Sequence, residues 1–552
     1  MKRFLSLALV AIMLLALIPA VSLAEAVSAE NLAKYGLDET LKFAETRKIT
    51  VEIYDRSVDD GPQPDDNMYV DFIKKGMLEK HNVEVEFVRV PRWTEGTDIA
   101  NLLAAGSAPD ICITYSMDVV NTYGQMGGVT DLAPFITDLE AALPNLFGTV
   151  GTELIWWNKD PIDGHLWCVE ANRIDSWQQN TFVREDWLAK LGLSVPTTLQ
   201  EFEDVLVAFR DNAELLLGTE AAKLIPFMFS YDVGFRWQPI LDSLTPDTFT
   251  DRERFIYGSD DRKFLWPAAK ETARVLNKWY NMGLCWNDFA LYDATTIGTL
   301  EDDQLKAGYV GAFVHNSDYP YRNGTDSIHN ALKRIIGEDA AFVSVNPFPN
   351  ETGEVVRYAP AKASDRKIFF PYTNDEPVAS LLYLDWISTF ENTYFLQYGE
   401  EGVTHEVQEN GGIKTIGVSG AKKMNSVNNI DYTITINGQN LPDPETKINS
   451  LALSYDNTDP RYVELFVHHY LDYDRLMVPV NVGIIEAQEG IGAELESKRN
   501  AILGKSISAP VDQFDAIWDS GVADYLQSGG QAIIDERIAK WTQFYGDVDF
   551  LQ

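Results

Sequence analysis

Hydrophobic and polar positions alternate in the stretch KITVEIYD, with Ile49, Val51 and Ile53 on one side, which predicts a strand with one buried face. The period then changes. Met68, Phe72, Ile73 and Met77 in MYVDFIKKGMLEKHN form one helical stripe, and VEVEFVRV returns to strand alternation through Val83, Val85 and Phe87. Strand, helix and strand within some forty residues predict a right-handed βαβ unit with a parallel pair. TEGTDIANLLAAG adds a helix and PDICIT a third strand, so the first part of the chain reads as doubly wound α/β. The pattern restarts after residue 173. FVREDWLAKLGL is an amphipathic helix ending at Gly192, and PTTLQEFEDVLVAFRDN opens on a capping box, Thr198 with Glu201. GYVGAFVHN (308–316) and AAFVSVNPF (340–348) predict strands of a second sheet, and DEPVASLLYLDWISTF and GGQAIIDERIAKWTQFYG predict helices.

Ligands of open parallel sheets sit beyond the carboxyl ends of the strands. Tyr115, Ser116 and Asp118 follow the strand PDICIT directly, so a ring, a hydroxyl and an acid are aimed at such a crevice. They suit a polyhydroxylated ring, which needs an apolar face and hydrogen-bonding edges. The same residues fit a second arrangement, in which Tyr115 closes the core and Asp118 caps the next helix. Trp93, in the polar loop PRWTEG, lacks the apolar neighbours of a core residue and is assigned to a cleft or the surface. Glu170, Asn172, Arg173 and Trp177 in EANRIDSWQQN mix acid, amide, guanidinium and ring. Tyr231, Asp232 and Trp237 sit in a predicted loop after an apolar run, and His315 and Asn316 follow a strand end. The pair Trp156 and Trp157, with Trp286, reads as packing, and Trp187, Trp279, Trp386 and Trp541 read as core.

Length and charge narrow the class. The 552 residues exceed one ordinary core. Met1-Lys2-Arg3, an apolar run to about Ala20 and the exit Ala24-Glu25-Ala26 read as an export signal over residues 1–26. Residues 27–46 are poorly patterned and are expected to be a flexible spacer. A formal charge of −38 argues against nucleic acid and anionic membranes as partners, and against polyanionic ligands unless a local basic pocket exists. The three cysteines, Cys112, Cys168 and Cys285, lie in apolar settings and are expected to be buried thiols. There is no Gly-x-Ser-x-Gly elbow, Walker loop or His-Glu-x-x-His helix, so no cofactor and no metal is expected. The acid-rich YDRSVDDGPQPDDN misses the EF-hand spacing and reads as a solvated turn.

In order along the chain, WTEGTDIANLLAAGSAPDICITYSMD, GGVTDLAPFI, VREDWLAKLGLSVPTTLQEFEDVLVAFRD, LLYLDWIS, YGEEGVTHE and GGQAIIDERIAKW resemble extracellular solute-binding proteins of family 1, above all the large oligosaccharide-binding members. The resemblance implies the two-lobe, type II periplasmic-binding-protein-like fold with a ligand cleft between lobes. It implies a sugar receptor working with an ABC transporter permease, acting as a monomer in the periplasm or at the cell surface. It places Tyr115 and Asp118, with a one-residue offset, and Glu170 against sugar. It puts residues 47–170 plus 360–395 in the N-terminal lobe and 171–359 plus 396–552 in the C-terminal lobe. The chain lacks the cysteine that tethers many such receptors. A peptide receptor and a secreted polysaccharide-degrading enzyme are the competing functions.

Overall fold

The computed structural model describes residues 27–174, 179–258, 263–292, 296–359, 365–426, 429–455, 457–476 and 480–546. The proposed signal, residues 1–26, lies outside them. Strands β1 (Arg47–Asp55) and β2 (Val83–Pro91) pair in parallel around the helix Met68–His81. Asn67 starts that helix by accepting the backbone N–H of Tyr69 and Val70 at 3.0 and 3.2 Å. Asn82 stops it in the left-handed region at φ 58°, a conformation asparagine tolerates. Strand β3 (Cys112–Thr114) continues the sheet from β1 through the parallel bridge Val51–Ile111.

The first sheet is completed from far along the chain. We label β4 (Val169–Glu170), β5 (Asn172–Arg173), β6 (Gln179–Arg184), β7 (Ile225–Met228), β8 (Val310–Asn316), β9 (Phe342–Val345), β10 (Arg357–Ala359) and β11 (Lys367–Phe369). Strand β11 lies antiparallel between β3 and β4, giving the order β2-β1-β3-β11-β4. The second sheet runs β7-β8-β6-β9, with β7 and β8 parallel and β6 antiparallel to both of its neighbours. Each sheet has its own hydrophobic core, so the chain folds as two α/β lobes. It leaves the first sheet at Glu170 and joins the second at Gln179, and returns between Ala359 and Lys367.

Two expectations are corrected by the cores. Residues 27–46 are not a free spacer: Ser28 caps the helix Ala29–Tyr35, and Leu37 and Phe43 are buried in the first core. Two apolar residues six apart carry no periodicity, so the pattern missed them. Leu396, Tyr432 and Ile434, assigned to the second lobe, pack in the first core as well. The second core does include Tyr462, Phe466 and the C-terminal helices Gly492–Ser508, Phe514–Tyr525 and Gln531–Tyr545. The three cysteines are buried and unbridged.

Candidate functional site

The parallel strands of the first lobe end on one edge, and their next residues meet there. The guanidinium of Arg92, just past β2, lies 4.6 Å from the Tyr115 ring, 5.0 Å from Tyr54 and 5.4 Å from Trp93. These are cation–π distances, and they fix rings from three strand ends around one charge. Trp93 is 78% exposed, so its indole face is open. Tyr115 is half-buried and also packs on the core, which joins the two arrangements offered for it. Ser116, rather than Asp118, caps the helix Met117–Gln125, accepting Val119 N–H at 3.2 Å. Asp118 is exposed in its first turn.

Beneath the platform lie two carboxyls. Glu52 is fully buried in β1 and accepts Ile113 N–H at 2.7 Å. Burial holds it well above the usual carboxylate range, and Glu95 is raised for the same reason. Arg56, following β1, makes a bidentate pair with buried Asp431 at 2.7 and 2.9 Å, tying a distant segment to the strand ends. Sequence reasoning missed Arg56, Arg92 and Asp431. Only the position of Arg92 beside Trp93 offered a signal.

The second lobe presents the ends of β7 and β8. Asp232 accepts from Ser230 Oγ at 3.0 Å and from Arg236 Nε at 2.9 Å, and Arg236 also pairs with Glu301 at 2.9 Å. Tyr231 and Asp232 are thus held on a loop stiffened by a buried guanidinium, which is 4% exposed. Trp237 is not a loop contact: it is 1% exposed within the second core, because the short helix Val233–Arg236 turns it inward. His315 stacks on Tyr319 with centroids 3.3 Å apart, and its Nδ1 accepts Asn316 N–H at 2.7 Å. Burial, then Arg236 and Arg322, push its pKa down to about 2, so the ring stays neutral.

Where the chain passes between lobes, three segments are laced together. Strand β5 pairs in parallel with β12 (Ile436–Asn437), and Ala171 N–H donates to Arg366 O at 2.9 Å. Glu170, assigned to sugar by resemblance, is instead fully buried, with Oε1 3.1 Å from Lys367 Nζ and 2.9 Å from Asp365 N. The antiparallel register of β4 and β11 sets Lys367 directly opposite it. Burial outweighs that ammonium and pushes the Glu170 pKa up to about 7. Asn172 donates to Thr149 O at 2.8 Å, and Arg173 faces Asp365 at 3.4 Å. Trp177 lies outside the described residues.

A cavity of about 910 Å³, within the range of ligand sites, adjoins this crossing. Its lining includes Asn316–Asp318, Phe466, Tyr398 and Thr404, together with the helix Pro444–Ser454, whose Ser450 Oγ accepts the N–H of the lining residue Ile413 at 2.9 Å. Of the residues predicted for a site, it brings together Arg173 and Asn316. The buried Oδ1 of Asn316 has no hydrogen-bond partner. Among the described residues no group of three His, Cys, Asp or Glu is placed to hold a metal ion, and no helix is long and apolar enough to cross a membrane.

No family model and no curated protein matches the chain. Solved structures do. An HMO binding ABC-transporter associated solute binding protein from Bifidobacterium longum infantis is 16% identical, with a TM-score of 0.61 over 91% of this chain and 100% of that one. An extracellular solute-binding protein from Bifidobacterium longum subsp. infantis gives 16% and 0.59, over 90% and 98%. The N-glycan transport solute binding protein NgtS from Streptococcus pneumoniae gives 15% and 0.55, over 91% and 100%. This chain has the two-lobe fold of ABC-transporter solute-binding proteins.

Proposed function

We propose that the protein is an extracytoplasmic receptor that closes its two lobes around an oligosaccharide and delivers it to an ABC transporter permease, without chemistry on the ligand. The observation that carries this reading is the Trp93–Arg92–Tyr115 platform at the strand ends. An open indole face takes the C–H face of a sugar, and guanidinium and hydroxyl groups take its hydroxyls. Asn316, with its unpartnered acceptor, and Tyr231 supply contacts from the second lobe. Ligand touching both lobes favours the closed form by its differential affinity for that form, and closure is what a permease can sense. The neighbours support the ligand class: NgtS is titled for N-glycan transport, and FusA from Streptococcus pneumoniae was solved with kestose. The receptor acts as a monomer outside the cytoplasm and needs no cofactor. Asp118, exposed in the helix turn after Tyr115, and Arg173, in the cavity lining, complete the proposed contacts.

Incubation with a panel of glycans tests this. A receptor gains several degrees of melting temperature at saturating ligand and releases no products. Shortened glycans in the supernatant would make it a degrading enzyme, and stabilisation by peptides alone would make it a peptide receptor.

A further inference from the structure

Two side chains lining the cavity of about 910 Å³ carry a buried polar atom with no hydrogen-bond partner among the described residues: the Tyr398 hydroxyl and Asn316 Oδ1. They come from different lobes. Tyr398 ends the helix Phe390–Tyr398, whose Leu396 packs in the first core, and Asn316 ends β8 of the second sheet. Tyr398 is 1% exposed, and burial raises its pKa, so the hydroxyl keeps its proton. Other hydroxyls of the lining are already used. Thr404 donates to Tyr398 O at 2.6 Å, Ser450 to Thr446 O at 2.7 Å and Ser454 to Leu451 O at 2.7 Å. The guanidiniums face carboxylates: Arg322 lies 2.6 Å from Asp318, and Arg173 lies 3.4 Å from Asp365. The lining also includes Ile413, Ile416, Val418, Met424 and Leu451, aliphatic side chains rather than flat rings.

We infer, resting on the receptor reading above, that this cavity takes the acetamido group of an N-acetylated sugar residue, with Tyr398 donating to its carbonyl and Asn316 Oδ1 accepting its N–H. A buried polar atom without a partner is a cost to the fold that a matching ligand group removes. The hydroxyl can donate and the Oδ1 can only accept, and a secondary amide answers both. Its methyl suits the aliphatic lining, whereas a sugar ring needs a flat face such as that of Trp93. A hydroxyl in the same place brings no methyl, an O-acetyl ester brings no N–H, and the methyl of a deoxy sugar brings no polar atom. Held from both lobes, the amide also joins them, so the group that is recognised is one that favours closure.

Calorimetric titration of the full chain with fully N-acetylated chitotetraose and with cellotetraose compares an acetamido group with a hydroxyl on the same backbone and linkage. The acetylated chain is expected to bind about tenfold more tightly. Tyr398→Phe deletes only the hydroxyl and is expected to reduce that preference about fivefold, while the unliganded protein melts no lower. Equal or weaker binding of the acetylated chain, or an undiminished preference in Tyr398→Phe, would overturn the inference. Should neither chain bind, the glycan panel decides. Acetamido-bearing members that bind and lose about fivefold in Tyr398→Phe uphold the inference, and an undiminished affinity there overturns it. Binding confined to acetamido-free members overturns it and leaves the receptor reading standing. Should the variant not fold, the comparison of acetylated with acetamido-free glycans on the unaltered protein still decides. Binding of no glycan of either class overturns both readings.

Discussion

Trp93 and Trp237 stand at opposite extremes of exposure, 78% and 1%, and their substitutions separate binding from folding. Trp93→Ala is expected to weaken oligosaccharide binding roughly tenfold, about 1.4 kcal/mol, with no change in the melting of the unliganded protein. Trp237→Ala leaves a void in the second core and is expected to lower stability by about 3–5 kcal/mol in denaturant unfolding. The sequence could not tell these two apart, since each sits among polar and charged neighbours. What separates them is the turn of a four-residue helix, Val233–Arg236, too short to leave a periodic trace. The position of Tyr115, directly after the strand Cys112–Thr114, was legible from the apolar run before it. Arg92 was not, because its role depends on rings brought together from three strands.

Glu170 makes a prediction of its own. Its pKa rises from an ordinary 4.5 to about 7 on folding, so the folded protein holds a proton that the unfolded chain gives up earlier. Stability from this group is therefore full below about pH 4.5 and is lost as pH climbs through about 7. The loss is roughly 3 kcal/mol. Buried Asp242, pushed up to about 7, acts in the same direction. Glu170→Gln is expected to flatten the fall in unfolding free energy across this range. An unchanged slope would remove Glu170 as its source.

Among the elements, the strands Arg47–Asp55 and Val83–Pro91 and the helix Met68–His81 followed from periodicity, and the caps from residue type. Phe182–Arg184, read as the start of a helix, instead end the buried strand Gln179–Arg184, whose unbroken apolar and polar run carries no alternation. Thr198 accepts Glu201 N–H at 3.1 Å as its capping box requires, although the Glu201 carboxylate turns to Thr197 instead. The order of the first sheet was beyond reach, because β11 enters it from some 250 residues beyond β3 and is three residues long. Close packing between elements was equally hidden. Gly76 sits where an added Cβ would come 2.1 Å from the Trp386 ring of the helix Pro377–Ile387. Gly76→Ala, which would gain about 1 kcal/mol in an isolated helix, is expected here to lose about 1–3 kcal/mol. Urea unfolding reads the sign. A gain in stability would mean the two helices do not meet this closely.

For the whole molecule, a receptor that works by closing needs two bodies that approach each other when a guest bridges them. The two cores and the laced crossing segments at Glu170, Lys367 and Asn437 supply bodies and a joint. Their existence was legible as a pattern that stopped and restarted. Their membership was not, since Leu37, Phe43 and Tyr432 join the first core from stretches with no readable period. The most direct test is small-angle X-ray scattering of the full chain, with and without a saturating oligosaccharide found by the glycan panel. The radius of gyration is expected to fall on binding, and the scattering curve to stay that of one monomer. A ligand bound at saturation with no contraction would contradict a receptor that works by closing.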